Sequence, residues 1–317
     1  MIKRTALMII VIACLAMMPP AKIFRVKKLG EYPNFFALSS NGKTAYVTSF
    51  GTGDLLAVDV AEKKVIQSVA VGLAPLGIAL ADGDKLAFVA CKDSGTVAVV
   101  NLETFRLEAD VKVSGAPNSV AISPKGYRAF VTNYGRTKTG YLNIIDIRER
   151  NIQATIPMGL SPISVAVSPI NDYAYVVNGG SNEVWVVDPD RKTVVSKIPV
   201  GDAPLGIAIT PDGSRVFVSN SRSNDLSVID TKLGKVMVAI PVGKQPFGVT
   251  VSRDGKRVFV VNTLSRTVSI LPADLSSLKA DTMEIDKGSV DIKVGPDNRT
   301  IFVVSEQSHS LLVAEAP

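Results

Sequence analysis

At 317 residues, with 46% apolar residues, 6% aromatic residues and a formal net charge of +6, the chain is long enough to bury a core. So mild a positive excess does not by itself indicate nucleic acid. One histidine and two cysteines leave too few ligands for an ordinary zinc or copper centre, and no Cys-x-x-Cys-His stretch is present for covalent c-type haem.

Residues 1–21 stand apart. Lys3 and Arg4 precede an uncharged run from Ala6 to Met18, shorter than the roughly 20 residues of a membrane span, and the pattern reads as an export signal. Cleavage after Ala21, lipidation at Cys14 in the lipobox-like Val11-Ile12-Ala13-Cys14, and retention as an uncleaved anchor all stay open. Each implies a periplasmic, cell-surface or secreted location. Beyond this segment only Cys91 remains, so an internal disulfide is not expected.

From residue 22 to 317 the chain repeats. Val71-Gly72-Leu73-Ala74-Pro75-Leu76-Gly77 returns as Val200-Gly201-Asp202-Ala203-Pro204-Leu205-Gly206 and as Val242-Gly243-Lys244-Gln245-Pro246-Phe247-Gly248. Weaker copies bring the starts to 29, 71, 113, 158, 200, 242 and 285, a spacing of 42 to 45 residues. In the fifth copy strands are predicted over 206–210, 215–219, 226–230 and 235–240, with Pro211-Asp212-Gly213 as a hairpin turn. Second strands such as Phe259-Val260-Val261 are apolar throughout, as strands buried on both faces must be. Seven four-stranded copies predict an all-β fold, a single seven-bladed β-propeller. The last copy lacks a fourth strand while residues 23–28 precede the first, so the N-terminal strand should pair with 310–314 and close the ring.

Two residues after each repeat proline stand Gly77, Ser119, Ser164, Gly206 and Gly248, small enough to crowd around an axis; Phe35 and Asp291 break the rule. Asp291 is either a cation ligand in the channel or a mark of an irregular closing blade. Cys91 reads as a buried filler, Trp185 as packing between blades and His309 as an exposed loop residue. One rim collects the blade-to-blade loops and the loops between second and third strands. Lys92, Tyr134, Arg136, Lys138, Arg222, Lys244 and Arg266 fall there and form the expected partner-binding face. Three extra residues of the third copy fall in the same rim, within 133–140. No catalytic residue, metal ligand or cofactor is assigned.

The second strands Tyr46-Val47-Thr48-Ser49, Phe130-Val131-Thr132-Asn133, Tyr175-Val176-Val177-Asn178, Phe217-Val218-Ser219-Asn220 and Phe259-Val260-Val261-Asn262, with the Pro-x-Gly phrase upstream, resemble YVTN-family propeller repeats over residues 23–317. The resemblance implies a propeller and leaves function open. The expectation is a non-enzymatic binding or scaffolding protein that docks a protein partner, such as a periplasmic redox-complex subunit or a surface component. A lactonase-like hydrolase and a single-stranded nucleic-acid binder are the alternatives. The stacking surface for the latter is thin, resting on Tyr32, Tyr134 and Phe50.

Overall fold

The computed structural model describes residues 23–317, except Lys138 and the side chains of Arg136 and Thr137. The export-signal reading of residues 1–21 therefore lies outside the described residues. Seven four-stranded antiparallel sheets form seven blades. In blade 5 the strands run Pro204–Ile209, Arg215–Asn220, Asp225–Asp230 and Lys235–Pro241, from the channel outward, each within two residues of its sequence-predicted bounds. Blade 7 is composite. Its inner three strands are Ser289–Val294, Thr300–Ser305 and Ser310–Glu315, and its outer strand is Phe24–Lys27. Phe24 lies opposite Val313 and Lys27 opposite Ser310, so backbone hydrogen bonds join the two ends of the chain as expected.

Packing follows from the repeat. Seven apolar clusters of buried side chains fall one to each seam between neighbouring blades. The aromatic residue that opens each second strand leans into the seam with the next blade: Phe88 packs against blade 3, Phe130 against blade 4, Phe217 against blade 6 and Phe302 against blade 1. Such rings bring about 150–250 Å² of apolar surface each. Two residues on, the same strand face carries hydroxyls that reach the same neighbour. Thr48 Oγ1 donates to the Leu76 carbonyl at 2.9 Å, Thr132 Oγ1 to the Ile163 carbonyl at 2.8 Å, and Ser219 Oγ to the Phe247 carbonyl. One strand therefore supplies both the wedge and the stitch.

The residue after that is Asn178, Asn220 or Asn262 in blades 4 to 6, each wholly buried. It packs beneath the glycine that leads into its own blade, Gly159, Gly201 or Gly243. A Cβ on Gly201 or Gly243 would lie 2.6 Å from the amide carbon of Asn220 or Asn262. Glycine and asparagine thus occur together because only a bare backbone fits over the amide.

Blade 3 departs from expectation. The extra residues do not make a longer loop; they lengthen the strands to Arg128–Thr137 and Thr139–Asp146, with Thr137 opposite Thr139. The outer strand, Ile152–Leu160, follows them up, placing Leu160 opposite Thr139. Continued pairing satisfies the backbone groups that a loop would leave to water.

Candidate functional site

All blade-to-blade loops and all loops between second and third strands open on one rim, here the top. Each blade is entered through a residue with a positive φ: Tyr32, Ala74, Ser161, Ala203 and Gln245 lie at 51–53°. Non-glycine residues adopt this region at a cost. The return is a fixed kink. The carbonyl of each accepts the N–H just beyond the blade's second strand, from Phe50, Lys92, Gly179, Ser221 and Thr263 respectively. The top rim is consequently a ring of rigid loops with outward side chains.

The predicted rim residues separate into two arcs. Arg222 and Lys244 line one depression of about 420 Å³ between blades 5 and 6, together with Ala203, Gln245 and Leu264. Arg266 is exposed on the same loop as Leu264, a leucine with 67% of its surface in solvent. Arg222 pairs loosely with Asp202 at 3.4 Å, both groups well exposed, so the pair contributes little. Among the described residues Lys244 and Arg266 have no ion-pair partner. Lys92 and Tyr134 lie on the other arc, on blades 2 and 3, and both are half-buried. Tyr134 lines a depression of about 480 Å³ with Ser94, Lys112 and Val113, and burial raises its phenol pKa. Arg136 and Lys138 are named in the expected face, but their side chains lie outside the described residues.

The inner strands of all seven blades line an axial cavity of about 170 Å³. Gly77, Gly206, Gly248, Ser119 and Ser164 face it, with Phe35 and Phe247 in ring contact at 6.4 Å between centroids. Blade 7 adds a charged pair: Lys293 Nζ lies 2.7 and 2.8 Å from the two carboxylate oxygens of Asp291. The ammonium also lies 5.5 Å from the centre of the Phe36 ring. Asp291 does reach the channel, but the cation it holds is Lys293. The cation-ligand reading is therefore replaced by an internal ion pair. Lys293 went unnoticed in the sequence, although one comparison reveals it. Four residues after the repeat proline, or after its counterpart Ser289 in blade 7, the blades carry Ala37, Ala79, Ala121, Ala166, Ala208, Thr250 and then Lys293.

Other singled-out residues have structural roles. Cys91 is buried, and desolvation pushes its thiol up to about 12. His309 is half-buried rather than exposed: Nδ1 lies 2.9 Å from the Gly30 carbonyl, which makes Nδ1 the donor, and the ring meets Tyr32. It ties the N-terminal segment to the last blade. Trp185 packs against the blade 3–4 cluster, with its indole N–H bonded to Glu183. Glu306 is half-buried at the top of blade 7, accepts a 2.6 Å bond from Asn34 Nδ2 of blade 1, and has its pKa raised by desolvation. Among the described residues, no three His, Cys, Asp or Glu side chains gather as a metal site.

Comparison with known proteins adds a family and a fold. The family described as "Lactonase, 7-bladed beta-propeller" matches residues 22–284, ending at the outer strand of blade 6. No curated protein matches the sequence. Among solved structures, hydrazine synthase of Kuenenia stuttgartiensis superposes with a TM-score of 0.83 at 20% identity, over 92% of this chain and 97% of that one. A functionally unknown protein from Desulfotomaculum acetoxidans DSM 771 gives 0.75 at 18% identity, over 85% of this chain and 92% of that one. Identities this low speak for the fold alone.

Proposed function

Since the chain belongs to the lactonase family of seven-bladed β-propellers, we propose that it is a non-enzymatic, exported member that docks an acidic protein partner on the top rim at blades 5 and 6. One observation carries this reading. Arg222 and Lys244 line a depression with Leu264 standing at its wall, and Arg266 is exposed on the loop of Leu264. Exposed cations around an apolar tip suit a partner surface of carboxylates around a small apolar contact. The rigid kinks beneath these loops keep the ordering cost of association low.

Lactone opening needs a nucleophile or activated water beside a base. Cys91 is buried with a raised pKa, and the one imidazole of the described residues, His309, is held by the Gly30 carbonyl. These features favour binding over catalysis. The position of the N-terminus fits as well. Phe24–Lys27 runs from the bottom rim upward, so residues 1–22 join the disc at the rim opposite the proposed docking arc. A membrane anchor there would turn the docking rim outward.

The test is cross-linking of the native protein in its own cells, followed by identification of the partner and binding measurements with purified components. Lys244→Glu with Arg266→Glu should lower association at least tenfold and flatten its salt dependence, since exposed charges are screened over about 10 Å at 0.1 M. The bottom-rim pair Lys125→Glu with Lys256→Glu should leave association unchanged. The reverse pattern, or lactone hydrolysis by the purified protein, would defeat the proposal. Fractionation checks export: a cytoplasmic pool with residues 1–21 intact would count against it.

A further inference from the structure

We propose that the axial channel binds a small carboxylate, held by the Lys293 ammonium and the Ser119 and Ser164 hydroxyls, beside the Phe35 and Phe247 rings. The site is independent of the rim. It begins with a charge that the fold does not need. Six blades carry Ala or Thr where blade 7 has Lys293, and of these residues only Lys293 lines the axial cavity; an ion pair withdrawn from bulk water generally stabilises no better than well-packed apolar groups.

The donors and acceptors of the channel are unequal. Asp291 is saturated. Its oxygens take both contacts from Lys293, the Ile292 N–H at 2.9 Å and the Phe36 N–H at 3.4 Å. An ammonium has three N–H groups, and the Asp291 oxygens occupy two. The Lys293 side chain keeps 36% of its surface free while that of Asp291 keeps 7%. Ser119 and Ser164 line the same cavity, both half-buried, and among the described residues their hydroxyls make no hydrogen bond. One ammonium N–H and two hydroxyls are therefore left in the lining of one cavity, which an acceptor would suit. A carboxylate supplies four lone-pair sites.

Size and polarity narrow the ligand. The cavity of about 170 Å³ has room for a carboxylate with a short alkyl chain. Phe35 and Phe247, in the cavity lining, offer that chain apolar contact. Asp291 offsets much of the ammonium charge, so the affinity should be millimolar.

Ligand-observed NMR and calorimetry with butyrate test the site, with butylammonium as the charge-reversed probe. Saturable one-to-one binding of butyrate is expected, falling at least tenfold in Lys293→Met. The decisive variant is D291S/K293A, which gives blade 7 the residues that blades 3 and 4 carry at these positions. It should keep the wild-type melting temperature and lose butyrate binding, while K244E/R266E on the rim should bind butyrate normally. The proposal is overturned if butyrate shows no saturable binding, if D291S/K293A still binds it, or if butylammonium binds equally well. A large fall in the melting temperature of D291S/K293A would also overturn it, by making the pair a structural pin.

Discussion

The two rims of the disc are built from the same repeat and differ in how fully their polar groups are satisfied. On the bottom rim, turn aspartates bond to their own turns: Asp212 accepts from Thr210 Oγ1 and the Ser214 N–H, and Asp254 from Ser252 Oγ and the Lys256 N–H. Neighbouring turns are stitched as well, by Asp254 N–H to Asn298, Tyr127 to Asp172, and Arg253 to the Ser40 carbonyl two blades away. Both rims display exposed apolar tips, Leu73 and Leu264 above and Ile170 and Leu233 below, and the bonds within and between turns are what set the bottom rim apart. Short hairpins bring donors and acceptors within reach of each other, whereas the blade-to-blade loops must spend their backbone bonds on the kink. The turn bonds lie below, and the proposed docking arc lies above.

The largest expected effect comes from the strand that joins the two ends of the chain. Deleting residues 23–28 removes Phe24–Lys27, its ladder to Ser310–Glu315, the buried Val26 and the Arg25–Asp286 bridge. A buried valine and several hydrogen bonds together suggest a loss on the order of 4 kcal/mol, read from urea unfolding. A loss under about 1 kcal/mol would mean that the ring holds shut without its N-terminal strand, and that seam packing alone supports both rims.

How much of this could be read from the sequence depends on whether the repeat carries the information. Blade number, strand order and closure were legible because copies of one pattern reinforce each other, and Ser310–Glu315 visibly lacked a partner. Blade 3 was legible as longer but not as a taller hairpin, since loop and strand continuation share one residue count. Lys92, Tyr134, Arg222, Lys244 and Arg266 do lie on one rim, yet their division into two arcs depends on how half-buried Lys92 and Tyr134 sit, which no spacing reveals. Lys293 was missed for a different reason. It stands alone at one position of one copy, and only aligning all seven copies exposes it. The resemblance to YVTN repeats and the matched lactonase family agree on the propeller and leave its ligand to the site itself.

A middle-sized effect separates the rims by pH. Hydrogen bonds from Thr210 and the Ser214 N–H lower the pKa of Asp212, and bonds from Ser252 and the Lys256 N–H do so for Asp254. A depressed carboxyl pKa stabilises the fold above the unfolded value, about 3.9, and that contribution is lost as pH falls through the folded value. Asp212→Ala should cost about 1 kcal/mol at pH 7, the worth of a turn-capping carboxylate. The cost should shrink towards pH 3. Asp93→Ala on the top rim should stay within about 0.5 kcal/mol throughout. Equal costs on the two rims would break the contrast.

The smallest effect has the opposite sign, and it sharpens the comparison most. Glu306 is held against Asn34 at the top of the closing seam, and burial raises its pKa. Between the unfolded carboxyl value, about 4.3, and the higher folded one, the native state binds more protons than the unfolded chain. Stability therefore falls as pH rises through that window and stays lower above it, the reverse of Asp212. Glu306→Gln keeps a carbonyl to accept from Asn34 and removes the charge. The variant should be slightly more stable than wild type at pH 7, by a few tenths of a kcal/mol once solvent screening of a half-buried group is allowed for. That gain should disappear near pH 4. Urea titrations of both proteins at the two pH values decide it. If Glu306→Gln is instead less stable at pH 7, with a deficit that grows with pH, Glu306 is a paired anion like the turn aspartates, and the top of the closing seam is as well satisfied as the bottom rim.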